Sequence, residues 1–457
     1  MRGTIAQELA EFCASLRFQQ LPADVVARAK DLLLDYLSVG YGGARADSSQ
    51  AALHAARALG EPGRATLFGQ PEGARAVWAA LANGTAAHAL EMDDVSSKSS
   101  LHPGVGVFPA ALALAEELHA SPEALLTAVV AGYEVVMRVG NALNPASAYQ
   151  RGFHPTGVAG AFGATAACAT LLALDPKRFT NALGIAGTMA SGSLEYLTGG
   201  AWTKRLNAGW ASHCGIVAAQ LAAAGFTGPA TALEGPLGLL HAYTDQPLPK
   251  EAVHGLGTNY QIMRASIKPY ACCRYNHGPI DCILELRPAV ADLESIEEIR
   301  LGILSGGYVL VAEPLEAKQR PRNVVDAQFS APFAAAVALV HGRAGLPEYT
   351  QANIEDPHIH ALMERTVCYR DPELDAVYPG QWPAAASIRL SSGAVLEARQ
   401  PHPLGEPENP IPPQALEAKF RQLVAAGWAD EAISRLRALP AGSIAELLEP
   451  FRSPALG

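Results

Sequence analysis

The chain reads as a mainly α protein, a large all-helical domain with a smaller α+β domain, and three observations carry that reading. Helical spacing of apolar residues recurs from Thr4 to about Gly235, strand-like alternation appears only after Gly255, and a proline-rich connector, Pro401 to Gln414, then leads back into helical sequence. At 457 residues the chain exceeds what one hydrophobic core usually supports. The expected division is an all-helical domain from residues 1–265 and 405–457, and an α+β domain from residues 266–404.

Each element follows from local signals. Val25, Ala29, Leu32, Leu33, Tyr36 and Leu37 form one stripe, with Pro22 in the first turn and Gly40 near the stop. Two more helices are expected at Ala51 to Leu59 and Ala74 to Leu81, followed by Pro109 to His119 and Pro122 to Leu143, the latter capped by Ser121. Pro155 to Leu174 and Ala208 to Phe226 read as buried helices, too polar to cross a membrane. In the second domain a helix from Gly278 to Leu286 precedes a strand from Ile296 to Leu304. A helix from Asp326 to His341 comes next, then a strand at Thr366 to Tyr369 and a hairpin of Ser387 to Leu390 with Val395 to Arg399, turning at Ser391-Ser392-Gly393. Three C-terminal helices, Pro413 to Ala425, Asp430 to Leu439 and Ser443 to Leu448, are too short to bury much by themselves and are expected to pack on the first domain.

A net charge of −10 argues against nucleic acid or an anionic membrane as partner. The N-terminal stretch lacks the apolar run of a signal peptide and carries Glu8 and Glu11, so a cytoplasmic location is expected. Seven scattered cysteines make no disulfide framework and fit a reducing compartment. Zinc and iron–sulfur spacings are missing, which leaves for a metal only a site assembled from distant residues.

Polar residues interrupt the apolar helices at a few places. The first, HALEMDDVSSKSSLHPG from His88 to Gly104, packs Glu91, Asp93 and Asp94 together and ends near His102. Crowded, partly desolvated carboxylates raise one another's pKa and so supply acid–base groups near neutral pH. A solvated helix end is the plain alternative. The second, QRGFHPTG, holds His154 before a proline, which drives its backbone towards an extended conformation. The third, GGAWTKRLNAGWASH, offers Lys204 and Arg205, with a helix N-terminus expected near Asn207 and tryptophans 202 and 210 limiting exposure. The fourth, SIKPYACCRYNH, supplies Lys268, Tyr270, Arg274 and His277. Acids, neutral bases and cations at helix breaks suit a substrate with several carboxylates: cations hold it while one group moves a proton next to a carboxylate.

These motifs, in this order, resemble the MmgE/PrpD family over nearly the whole chain: NGTAAHALEMDD with HPG, RGFHPTGVAGAFGA, WTKRLNAGWASHCG, GPLGLL, SIKPYACCRYNH, and GEPENP with Lys419-Phe420. The resemblance implies a two-domain homodimeric enzyme with a small di- or tricarboxylate substrate, working without cofactor or metal. It places His102, His154, Lys204 and Lys268 on the family's active-site positions, with Glu91 and Asp93 as acidic partners and Tyr270, Arg274 and His277 as substrate-binding candidates. A lyase eliminating water from a 2-methylcitrate-like compound is the leading expectation. An iminodisuccinate-type epimerase, a cis-aconitate-type decarboxylase and a non-catalytic polycarboxylate-binding homologue are the alternatives. The decarboxylase branch resembles Asp-x-Asp-Asp-Thr at the acidic motif, where this chain has Glu91 and Val95 as the outer members.

Overall fold

In the computed structural model, which describes residues 3–378 and 380–454, the chain divides into two compact units. The first holds the segments up to Ala89, from Asp93 to Ala265 and from Pro412 onward; the second holds Leu90–Met92 and Ser266–Ile411. The molecule is thus mainly α, with strands concentrated in the second unit.

The first unit is a stack of long helices whose interior is dominated by alanine and leucine. Its main members are Ala23–Gly43, Ala76–Ala87, Gly104–Leu118, Pro122–Ala142, Pro155–Leu171 and Thr203–Ala223. Ser121 caps the fourth of these, its hydroxyl accepting the Ala124 N–H at 3.2 Å. Pro22 stands just outside the first as its N-cap residue, and that helix runs through Gly40 to Gly43. Gly40 is there for contact: a Cβ at this position would lie 2.4 Å from the Phe68 ring.

Pro109 does not open its helix, which begins five residues earlier at Gly104. A proline inside a helix leaves the carbonyl four residues back without its usual donor. Here that carbonyl belongs to Val105, and the Ser212 hydroxyl supplies a replacement, lying 3.3 Å from Val105 O and 2.8 Å from Gly106 O. The helical series is also interrupted by a short strand, Pro62–Ala65, too brief to show alternation in the sequence.

In the second unit a four-stranded mixed sheet has the order Thr366–Arg370, Ile296–Ile303, Ala384–Leu390, Val395–Gln400. The first pair is parallel, with Ile299 opposite Thr366, and the other two are antiparallel. Gly393, at φ +85°, makes the hairpin turn that a side chain would strain. The helix expected from Asp326 to His341 is two helices, Val324–Gln328 and Ala331–His341. The break falls at Ser330, whose hydroxyl caps the second helix by accepting the Phe333 N–H at 3.0 Å. No helix among the described residues is long and apolar enough to cross a membrane.

One ion pair inside the first unit ties distant parts of the chain together. Asp35 on the Ala23–Gly43 helix and Lys419 on the Pro413–Val424 helix are both buried, with Lys419 Nζ 2.5 Å from Asp35 Oδ1. Burial pushes the Asp35 carboxyl up, and the lysine opposes that. Removing one partner strands a buried charge, so Lys419→Met is expected to cost about 3–5 kcal/mol in denaturant unfolding. The double replacement Asp35→Leu with Lys419→Met should recover most of that loss; an additive loss would mean the pair does not act as a unit.

Candidate active site

The first polar interruption forms a buried ring cluster in the helical unit. His88 is the C-cap residue of the Ala76–Ala87 helix, and the segment after Asp93 returns through His102 to the helix starting at Gly104. Asp93 Oδ2 receives two imidazoles: Nδ1 of His88 lies 2.8 Å away and Nδ1 of His102 lies 2.9 Å away. His88 and Asp93 are fully enclosed, and the His102 side chain is 12% exposed. Burial alone would raise the Asp93 carboxyl, but the two histidines outweigh it and hold it well below the usual carboxylate range.

His154 joins the cluster from another helix. It is the N-cap residue of Pro155–Leu171 with an extended backbone, φ −93° and ψ 107°, as the following proline requires. Its ring stacks parallel to His88 with centroids 6.0 Å apart, while His88 and His102 meet edge to face at 4.7 Å. Tyr196 meets the His154 ring edge to face at 5.7 Å. The Asn207 amide nitrogen lies 3.1 Å from His154 Nδ1. Thr156 from the same helix accepts the His102 backbone N–H at 3.1 Å, which ties the two His-Pro segments together.

The helix carrying Lys204 begins at Thr203, so Asn207 lies in its second turn and it is Lys204 that occupies the helix start. Lys204 is partly buried and stands three residues before Asn207, a spacing that puts both on one helix face. Trp202 and Trp210 do not shield this segment; they are 48% and 40% exposed.

Asp94 supports the loop from behind. Its Oδ1 accepts the Gly104 N–H at 2.9 Å and its Oδ2 accepts the Tyr133 hydroxyl at 2.7 Å. A Cβ on Gly104 would fall 2.5 Å from Asp94 Oδ1, which explains the glycine after His102-Pro103. Burial foremost, with Asp35 and Asp93 adding to it, pushes Asp94 up to about 7 against the lowering effect of those two bonds.

The remaining candidates lie in the second unit. Glu91 takes a left-handed backbone, φ 56°, a conformation that costs a non-glycine residue about 1–3 kcal/mol. In that conformation its carbonyl lies 3.1 Å and its carboxylate 3.6 Å from Lys268 Nζ, both residues being buried. The Arg274 guanidinium is bonded to Glu406, whose other oxygen accepts the Ser266 hydroxyl at 2.8 Å. The Tyr270 hydroxyl donates to Asp281, and burial together with that carboxylate drives the phenol upward. His277 packs against Tyr270 at 5.1 Å and reaches the Cys272 carbonyl at 3.4 Å.

Two participants were not singled out by the sequence reading, His88 and Asn207 in its side-chain role. A histidine closing an otherwise apolar alanine-rich helix was the available signal for His88; Asn207 had none. For a metal, the described residues offer one group of close donors, His88, Asp93 and His102. Both Nδ1 atoms are at hydrogen-bond distance from one carboxylate oxygen, so these donors are engaged with each other.

Buried imidazoles paired with a carboxylate are groups able to take up and release a proton near neutral pH. The MmgE/PrpD N-terminal domain model matches residues 7–252 and the MmgE/PrpD C-terminal domain model matches residues 270–438. The chain belongs to the MmgE/PrpD family. A cis-aconitate decarboxylase of Aspergillus terreus is 27% identical to it, the match covering 99% of this chain and 98% of the relative. The cis-aconitate decarboxylase of Homo sapiens is 27% identical, covering 92% and 88%, and that of Mus musculus 25%, covering 92% and 87%.

The two neighbouring aspartates should leave opposite marks on stability. Asp94 holds its proton up to about 7 in the native state against 3.8 ordinarily, so its contribution is present at low pH and is lost between about pH 4 and pH 7. Asp94→Asn does not titrate: its amide oxygen can still accept the Gly104 N–H, and its NH2 can donate to the Tyr133 hydroxyl, which then accepts. Its Tm relative to the unsubstituted chain is therefore expected to rise across that window. For Asp93, held low, the contribution exists above its ordinary range and fades on acidification, so Asp93→Asn should lose ground as pH rises. Thermal melts of both variants at several pH values check the signs.

Proposed function

We propose that this protein is a lyase acting on a small tricarboxylate, and that its reaction is decarboxylation of a cis-aconitate-like substrate. The observation that carries the acid–base part is the Asp93 carboxylate shared by His88 and His102, with His154 stacked beside them. The decarboxylase names of full-length relatives support the reaction type. In this reading a carboxylate leaves as CO₂, its bonding pair shifts the double bond, and an imidazole delivers a proton to the carbon at the far end. Lys204 and Lys268 supply positive charge for the substrate carboxylates and for the charge that develops as the bond breaks. Both Lys268 and Arg274 have carboxylate partners, but Arg274 is in direct hydrogen-bond contact with Glu406 whereas the Lys268 ammonium stands 3.6 Å from the Glu91 carboxylate, so Arg274 has less to offer.

A second reading, loss of water from a 2-methylcitrate-like substrate, is favoured by Glu91 and by Val95, a buried residue without the hydroxyl expected in the decarboxylase branch. A cytoplasmic location is part of the proposal, supported by seven cysteines that are all free thiols. So is a homodimer: Trp202, Leu206 and Trp210 recur at helical spacing and are 40–48% exposed, more apolar surface than a single helix usually shows to water.

Incubation with cis-aconitate, 2-methylcitrate, citrate and iminodisuccinate in D₂O, followed by NMR, tests the activity. CO₂ release from cis-aconitate with one deuterium retained in the product is expected. Water loss from 2-methylcitrate would move the assignment to a hydro-lyase, exchange without net product to an epimerase, and inertness towards all four would remove the lyase reading. Lys268→Met, with its fold checked by circular dichroism, is expected to lower kcat by about 100-fold or more while KM moves little. A rise in KM alone would make Lys268 a uniform binding group. Light scattering should give twice the chain mass, and Trp202→Glu with Trp210→Glu should shift it to the monomer.

A further inference from the structure

The cluster contains more information than a set of nearby imidazoles, because the partner of each ring nitrogen decides where its proton sits. His102 Nδ1 faces two oxygens, Asp93 Oδ2 at 2.9 Å and the Asp94 carbonyl at 2.9 Å. Both only accept, so that nitrogen carries the proton. His154 Nδ1 instead faces the amide nitrogen of Asn207 at 3.1 Å, which only donates. That nitrogen offers its lone pair, and the proton of the neutral ring lies on Nε2.

We infer that His102 and His154 are fixed in opposite tautomers, His102 with its proton on Nδ1 and His154 with its proton on Nε2, and that His88 and Asn207 are the positioning residues that impose this division. His88 acts through Asp93. Its Nδ1 lies 2.8 Å from the same Oδ2 that His102 uses, giving the carboxylate a second fixed partner, and its ring, fully buried, packs against both other imidazoles. Asn207 acts through His154 alone.

This rests on the lyase reading for its consequence. His102 Nε2 becomes the atom that moves the proton. In a decarboxylation the imidazolium of His102 gives its Nε2 proton to carbon as the electron pair of the breaking C–C bond forms the new double bond and CO₂ departs. The ring is left neutral with its remaining proton on Nδ1 towards Asp93, and it recovers the other from solvent. His154 stays neutral throughout and donates a hydrogen bond from Nε2 to a substrate oxygen gaining negative charge, because giving up that proton would leave an imidazolate.

The experiment is a long-range ¹⁵N–¹H correlation of the full chain labelled at its histidine rings, recorded without substrate in alkaline buffer, with His102→Gln and His154→Gln used to assign the two signals. The expected spectrum shows protonated Nδ1 for His102 and protonated Nε2 for His154. Asn207→Asp puts an acceptor opposite His154 and is expected to move that proton to Nδ1, lowering kcat by about 100-fold or more with little change in KM, since a wrong tautomer alone can cost a histidine-dependent enzyme as much as about 10⁴. His88→Asn, which can still donate to Asp93, should retain kcat within about 3-fold, whereas His88→Leu should lose about 10-fold or more. A shared tautomer in the unsubstituted protein, or an Asn207→Asp spectrum unchanged at His154, overturns the inference. The tautomers are read without turnover, so opposite tautomers in a protein inert towards every tricarboxylate would overturn the lyase reading and leave this one standing.

Discussion

A single carboxylate oxygen, Asp93 Oδ2, sets the terms for the helical unit. It is enclosed with two imidazole nitrogens within 2.9 Å, and an ion in such surroundings persists only where its partners cannot move away. The surrounding fold meets that demand. His88 is fixed at the end of one helix, His102 immediately before the start of another, and the Asp94 side chain is bound to Tyr133 and to the first residue of that second helix. Replacing Gly104 by any larger residue would push against Asp94 and Tyr133 together, so the backbone behind the imidazoles has no slack.

The helices that hold this arrangement are built mainly of small residues. Alanine and glycine let backbones approach closely: a Cβ on Gly209 would stand 2.2 Å from the Leu81 carbonyl. Close approach of main chains brings side chains from three or four helices within ring-contact distance, which longer apolar residues would prevent. Ser212 shows the accompanying cost. Pro109 interrupts the hydrogen bonding of its own helix, and a hydroxyl from a neighbouring helix restores it.

Much of this was legible in the sequence because it depends on local chemistry. Helix periodicity, the Ser121 cap, the extended backbone of His154 and the hairpin at Gly393 are each decided by a few adjacent residues, and the structure has them. Departures occur where a distant partner intervenes. The sequence around Pro109 reads as a helix start because the compensating Ser212 is about a hundred residues away, and Gly40 reads as a stop because Phe68 is not yet beside it. The same applies to the site. His102, His154 and Asp93 stand out as polar residues in apolar surroundings, but the pairing of His88 with Asp93 and of Asn207 with His154 exists only once the helices are stacked. A carboxylate shared by two rings cannot be told from an acidic turn by composition.

The short run Leu90–Met92 belongs to the second unit, although His88 and Asp93 on either side of it belong to the first. A fragment beginning at Ser266 would contain Lys268 but lack Glu91, leaving a buried ammonium without the carboxylate and carbonyl that meet it here. Cutting the gene at its apparent boundary would therefore give a second unit missing part of its own interior. The two units are separable as compact bodies but interleaved as sequence, and a swap of one unit between relatives has to carry those three residues with it.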